Sequence, residues 1–121
     1  MAEYKAAMTN HSNIHTFVTM DGLGNDFIIF DAREQALSLS AEDVQLLADR
    51  ESGIGCDQLI IIRGSDKADA FMEIRNADGS EVAACGNATR CLAWLLADGE
   101  QGASISIETK ANILSAEIIG D

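Results

Sequence analysis

The stretch "CGNATRCLAWLLADG", residues 85–99, decides the fold. Ala88, Cys91, Leu92, Leu95 and Leu96 fall at i, i+3, i+4, i+7 and i+8, the spacing of one face of an α-helix. Ala93, Trp94 and Ala97 are apolar too and lie off that stripe. The spacing therefore predicts a helix buried on most sides. Asn87 is the expected N-cap and Gly99 the expected stop just past the helix. Trp94 is expected in the core, where truncation to alanine costs about 3–5 kcal/mol.

Such a helix needs strands around it, and the rest of the chain supplies them. "HTFVTM" (15–20) and "DFIIFD" (26–31) read as strands joined through the glycines of "DGLGN". "SAEDVQLLADR" (40–50) reads as a helix in which Ser40 and Asp43 form a capping box and Val44, Leu47 and Ala48 share a face. "QLIIIR" (58–63) is a short buried strand. "AFMEIRN" (70–76) alternates, with Ala70, Met72 and Ile74 opposite Phe71, Glu73 and Arg75. "SISIET" (104–109) and "ILSAEII" (113–119) read as a hairpin joined through "KAN". The order predicts an α+β fold, an antiparallel or mixed sheet wrapped around a central buried helix, and not a parallel Rossmann sheet. Residues 1–13 are polar and read as a disordered tail, leaving 14–121 as one lobe.

The chain has 121 residues, 47% of them hydrophobic, with 20 acidic and 8 basic side chains and a formal charge of −12. The basic residues form no run, so neither a nucleic-acid partner nor an anionic membrane surface is expected. No apolar span approaches the ~20 residues of a membrane helix. The first thirteen residues lack the apolar region of a secretory signal, which makes the cytoplasm the expected compartment. There are three cysteines, and the Cys85–Cys91 spacing is not a CxxC, so neither a disulfide framework nor a structural zinc site is expected.

A helix entrance presents unpaired N–H groups and the positive end of the macrodipole. It binds carboxylates and phosphates and lowers the pKa of a nearby thiol. Gly86 lets a ligand approach the backbone there. Two roles stay open for Cys85: base or nucleophile beside a small anionic substrate, or a small packing residue. Asn25 and Asn76 sit in glycine-rich turns, where asparagine is favoured whether or not it binds anything. "GIGCDQL" lacks the ending and spacing of a phosphate loop. Cys56 within it and Cys91 within the helical stripe read as packing residues, and neither His11 nor His15 reads as a ligand.

"MDGLGNDFIIFD", "GIGCDQLIII" and "MEIRNADGSEVAACGNATRC", followed by the apolar helix, resemble in that order the N-terminal half of diaminopimelate epimerase over about residues 17–119. The family usually has a second glycine where this chain has Ala88. The resemblance implies a cofactor-independent epimerase without metal, pyridoxal phosphate or nucleotide. It interconverts LL- and meso-diaminopimelate for lysine and cell-wall synthesis. It implies Cys85 as one of two catalytic thiols, Asn25, Gln58 and Asn76 as substrate-binding residues, and the N–H groups of Gly86 and Asn87 as holders of the α-carboxylate. It also implies that the second thiol lies on a second lobe not represented here, so that this chain alone is inactive. The expected partners are the amino-acid substrate and that lobe, with a homodimer as a further arrangement. Rival readings are a proline racemase-like enzyme and an amino-acid-binding lobe without turnover.

Overall fold

Alternation along the strands sorts the sheet into two faces, and each face is covered by one helix. The computed structural model describes residues 2–5, 14–22, 24–83, 85–98, 100 and 102–117. The elements are β1 (Ala2–Lys5), β2 (Ile14–Gly22), β3 (Asn25–Asp31), α1 (Ala41–Ala48), β4 (Gln58–Arg63), β5 (Ala70–Asn76), β6 (Glu81–Val82), α2 (Gly86–Ala97), β7 (Ser104–Glu108) and β8 (Ile113–Glu117). The sheet runs β1-β2-β3-β4-β5-β7-β8, with β6 paired to β5.

Two neighbouring pairs are parallel, β3 with β4 and β5 with β7, and the others are antiparallel. Parallel neighbours need a crossover, and here each crossover carries a helix. Strand direction reverses between β4 and β5, while both crossovers step the same way across the sheet. Right-handed connections then place the two helices on opposite faces. Ile28, Phe30, Leu59 and Ile61 pack with Val44, Leu47 and Ala48 of α1. Phe27, Ile29, Ile60, Ile62, Met72 and Ile74 pack with Ala88, Cys91, Leu92 and Ala93 of α2. The continuous apolar runs of β3 and β4 follow from burial on both faces. The sheet curls around α2, which touches β2 on one side and β7 and β8 on the other.

The Ser40–Asp43 capping box is present in both directions, at 3.0 Å each way. Ala70, Met72 and Ile74 are buried on the alternating strand. Glu73, on the opposite side of that strand, bridges Arg63 at 2.7 Å and Arg75 at 3.1 Å. The two guanidiniums also donate to the Leu37 and Leu39 carbonyls. The network thus fastens the 32–40 loop over the α1 face.

Three expectations change. Ala2–Lys5 is not tail but a strand paired with β2, because backbone pairing along a free edge asks nothing of side-chain hydrophobicity; residues 6–13 lie outside the described residues. Cys85, not Asn87, is the N-cap of α2, since the helical turn begins at Gly86. Gly99, the expected stop just past the helix, lies outside the described residues and is not among these changes; Asp98 before it is the C-cap, in the left-handed region at φ 53°. Trp94 is 55% exposed, so α2 is buried on one broad face and not all round. Leu95 and Leu96 are half-buried beside it, packed on the edge of the core.

Candidate active site at the entrance of the second helix

The sheet brings Asn25, Gln58 and Asn76 to one end. Asn25 opens β3, Gln58 opens the parallel neighbour β4, and Asn76 closes β5, which runs antiparallel to β4. Gln58 stands directly opposite Asn76 in the ladder. Its Nε2 donates to Asn76 Oδ1 at 3.2 Å. Its Oε1 is buried and has no hydrogen-bond partner among the described residues.

The entrance of α2 reaches the same end by two routes. Val82 of β6 pairs with Ile74, two residues before Asn76, and Cys85 follows three residues later. On the other side, a Cβ at Gly22 would collide with Cys91 Sγ, so glycine there lets the end of β2 lie close to α2. Gly22 is the ladder partner of Asn25. Asn25, Gln58, Asn76 and Cys85 therefore lie at one end of the lobe, and each is only partly buried.

Cys85 as N-cap gives no side-chain hydrogen bond to the first turn. Its carbonyl accepts from Thr89 N–H at 3.0 Å and from the Thr89 hydroxyl at 2.8 Å. Gly86 is exposed, and the space around it is open. The Asn87 side chain accepts from Arg90 at 3.0 Å and so does not cap the helix. Ala88, at the position where the family usually has glycine, keeps helical backbone, and its methyl joins the core. The alanine is accommodated without strain.

The three thiols differ sharply. Cys56 is 3% exposed in the α1-side core, and burial pushes its thiol from 9.0 to about 11. Cys91 is 8% exposed, and burial, followed by its neighbour Cys85, pushes it up as well. Cys85 alone is partly open to solvent.

Next to the site, Asp57 accepts Asp26 N–H at 2.8 Å and donates its own N–H to the Asp26 carbonyl at 2.9 Å, with Arg50 bridging both carboxylates at 3.1 Å. This clamp fixes the residues that follow Asn25 and precede Gln58. Nothing in the sequence pattern marked it, because Asp26, Arg50 and Asp57 stand apart in the chain and meet only in the fold. A cavity of about 370 Å³ lies at the far end of the sheet, between Val18, Ile29, Ile62, Leu95 and Leu96, and includes none of Asn25, Gln58, Asn76 and Cys85. Among the described residues no helix is long and apolar enough to cross a membrane.

The diaminopimelate epimerase family profile matches residues 17–121. The diaminopimelate epimerase of Acidiphilium cryptum (strain JF-5) is 55% identical over 105 residues, covering 86% of this chain and 38% of its own length. That of Zymomonas mobilis subsp. mobilis (strain ATCC 31821 / ZM4 / CP4) is 51% identical over 104 residues, covering 85% and 37%. Among solved structures, a phenazine biosynthesis protein of the PhzF family from Bacillus anthracis superposes with a TM-score of 0.55 at 29% identity, over 85% of this chain and 33% of that one. A PhzF-family protein from Enterococcus faecalis gives 0.61 at 14% identity, over 84% and 39%, a likeness of fold alone. The chain spans little more than a third of the length of these curated relatives. With the four motifs in order on a lobe of this architecture, and a family match over almost the whole chain, the chain belongs to the diaminopimelate epimerase family.

Proposed function

We propose that this chain is one lobe of a cytoplasmic, cofactor-independent epimerase that interconverts LL- and meso-diaminopimelate, with Cys85 as one of two catalytic thiols. The observation that carries the reading is the uncapped entrance of α2. A helix that starts on Ser, Thr, Asp or Asn spends that side chain on its own amides. This one starts on a cysteine that makes no such bond, leaving first-turn N–H groups beside a half-open thiol.

The chemistry follows from that juxtaposition. The N–H groups of Gly86 and Asn87 hold the substrate α-carboxylate against the positive end of the helix. The Cys85 thiolate takes the α-proton: the C–H bond breaks, an S–H bond forms, and the electron pair stays on carbon. A thiol on the opposite face then gives its proton to that carbon and becomes thiolate, which inverts the centre. Asn25, Gln58 and Asn76 hold the substrate's polar groups. Cys56 cannot be the second thiol, because it lies in the core on the other face of the sheet. Cys91 cannot either, since it is buried behind Cys85 on the same helix. The second thiol belongs to the remaining length of the relatives, and the present lobe alone is inactive.

The test is incubation with LL-diaminopimelate in D₂O, following α-deuterium and the meso isomer. The chain alone is expected to form no meso product, and joined to the second lobe it is expected to form it. In the joined protein, Cys85→Ala should lower the rate by about 10²–10⁴-fold, the usual contribution of a positioned acid or base. Cys85→Ser should be nearly as poor, because an alkoxide forms far less readily than a thiolate. Robust meso product from the 121-residue chain alone would falsify the half-site reading.

A further inference from the structure

Two glycines stand where β2 passes into β3, and they serve different ends. Gly24 has φ +88° and open space around it, so its glycine answers to backbone conformation. Gly22 has no positive φ, and any residue could adopt its backbone. What a side chain there would meet is Cys91 Sγ, with which a Cβ would overlap. Phe27 Cε2 lies 3.8 Å from the same point, an ordinary contact. The sulfur alone therefore sets the limit, and Gly22 answers to space.

Cys91 is the one buried thiol on this side of the sheet among the described residues, and the mechanism makes no use of its chemistry. It shares a core cluster with Phe27, Ala88 and Leu92, and Cys85 is packed against that cluster. Asp21, the residue before Gly22, and Cys85 both act on its charge, which puts it near the end of β2 and near the helix entrance at once. Burial first, and then Cys85, raises the thiol, so at neutral pH the sulfur is uncharged. A buried cysteine of this kind behaves as a small hydrophobe. It stands between Gly22, the ladder partner of Asn25, and the helix that starts at Cys85.

We propose that Cys91 is a positioning residue: its sulfur is the spacer that sets the start of β3 at Asn25 at a fixed distance from the Cys85 entrance. The effect on turnover rests on the epimerase reading, and the contact rests on the fold alone. Gly22 and Cys91 act as one fitted pair. A methyl added at Gly22 has two ways out: the end of β2 lifts from α2, or α2 shifts. Both part Asn25 from Cys85, because Asn25 is tied to Gly22 by the ladder and Cys85 to Cys91 by the helix. A packed core does not absorb an added methyl without such movement. Removing the sulfur frees the place that the methyl needs, so the two changes compensate each other.

The experiment is a cycle of Gly22→Ala, Cys91→Ala and the double variant, read in two ways. In the 121-residue chain, the ¹⁵N amide signals of Asn25 and Gly86 are followed. Gly22→Ala should shift both, and the double variant should return both toward wild type. Where Gly22→Ala alone does not fold, a folded double variant with wild-type-like signals is the same rescue. A Gly86 signal unmoved by Gly22→Ala overturns the coupling. A double variant that shifts by the sum of the single variants, or that does not fold, overturns it too. In the two-lobed protein, Gly22→Ala should raise KM for LL-diaminopimelate about tenfold, as for one weakened hydrogen bond to a charged group. It should lower kcat about 10²-fold, as for a misplacement of about 1 Å. Adding Cys91→Ala should bring both to within about threefold of wild type. A merely structural defect removes folded protein, so kcat falls while KM stays, and that result overturns the positioning role. Amide signals that shift and are restored in a chain whose two-lobed wild type shows no turnover support the spacer and count against the epimerase reading instead.

Discussion

The two helices of this lobe cover the same sheet from opposite sides and are finished in opposite ways. α1 is closed. Its first-turn amides are taken up by a reciprocal capping box, its buried face is Val44, Leu47 and Ala48, and the loop before it is fastened through Arg63, Glu73 and Arg75. α2 is open at the same points. Its N-cap contributes no side-chain bond, and Trp94 stands exposed on its outer surface. The difference shows that one small domain can close one helix and leave another open. First-turn amides that receive a side-chain cap on one face receive none on the other, where the helix is held by the core contacts of Ala88, Cys91 and Leu92.

The contrast within α2 itself gives the largest expected stability effect. Leu92 is fully buried and Trp94 is not. Leu92→Ala should cost about 2–5 kcal/mol in denaturant unfolding, a core truncation. A Trp94→Ala penalty of the same size would mean that the outer face of α2 is packed, and the comparison would collapse.

The thiols sharpen the comparison next. A thiol raised from 9.0 to about 11 holds about 100-fold less thiolate at neutral pH, so Cys56 should be the slower to alkylate and Cys85 the first. Mass mapping after a brief pulse of iodoacetamide decides it, and early labelling of Cys91 or Cys56 would contradict the placement of the α2 entrance. The same shift has a pH consequence. The folded state holds the Cys56 proton more tightly than the unfolded chain, so the stabilisation is fully present below about pH 9. It is lost as pH rises from there through about 11. Cys56→Ala should flatten the alkaline limb of a melting-temperature profile, and an unchanged limb would show that another group controls it.

The caps give smaller effects of opposite sign. Ser40→Ala should destabilise by about 1 kcal/mol through loss of the capping box. Cys85→Asp should instead stabilise the fold by a few tenths to about 1 kcal/mol, by supplying the cap that α2 lacks, while removing the thiol. A Cys85→Asp protein that melts lower than wild type would indicate that the first-turn amides were already satisfied. Last and smallest, Trp94→Ala should move stability by within about 0.5 kcal/mol, as for an exposed position.

Much of this was legible along the chain. Alternation gave β5, short continuous apolar runs gave β3 and β4, and period-3.6 patterns gave both helices, because burial on one face or on both is written directly into residue choice. Ser40 and Asp43 announced the start of α1, since a capping box is local. The stretch around Cys85 gave both a helix entrance and a thiol with free amides beside it. What the pattern misread was direction of burial. An apolar residue off the main stripe reads the same whether it is covered or exposed, so Trp94 looked like core. Likewise Ala2–Lys5 had no apolar signature, because strand pairing at an edge is a backbone property. Asn87 read as the cap from its residue type, and only backbone geometry put Cys85 there.

The sequence by itself determined most of the inventory: both helices and every strand except β1 and β6, which thiol stands at a helix start, and which family the motifs belong to. Only the tertiary structure decided who meets whom. The parallel β3–β4 pairing sets Asn25 and Gln58 at the same end, and the antiparallel β4–β5 pairing sets Asn76 across from Gln58. The Arg50 clamp on Asp26 and Asp57, and the hydrogen bond from Gln58 to Asn76, exist only once those strands are in register. The physical reason is that periodicity is written by contact with a core or with solvent, one residue at a time. Hydrogen-bond polarity and charge pairing depend on distances between residues far apart in the chain, which no local pattern records.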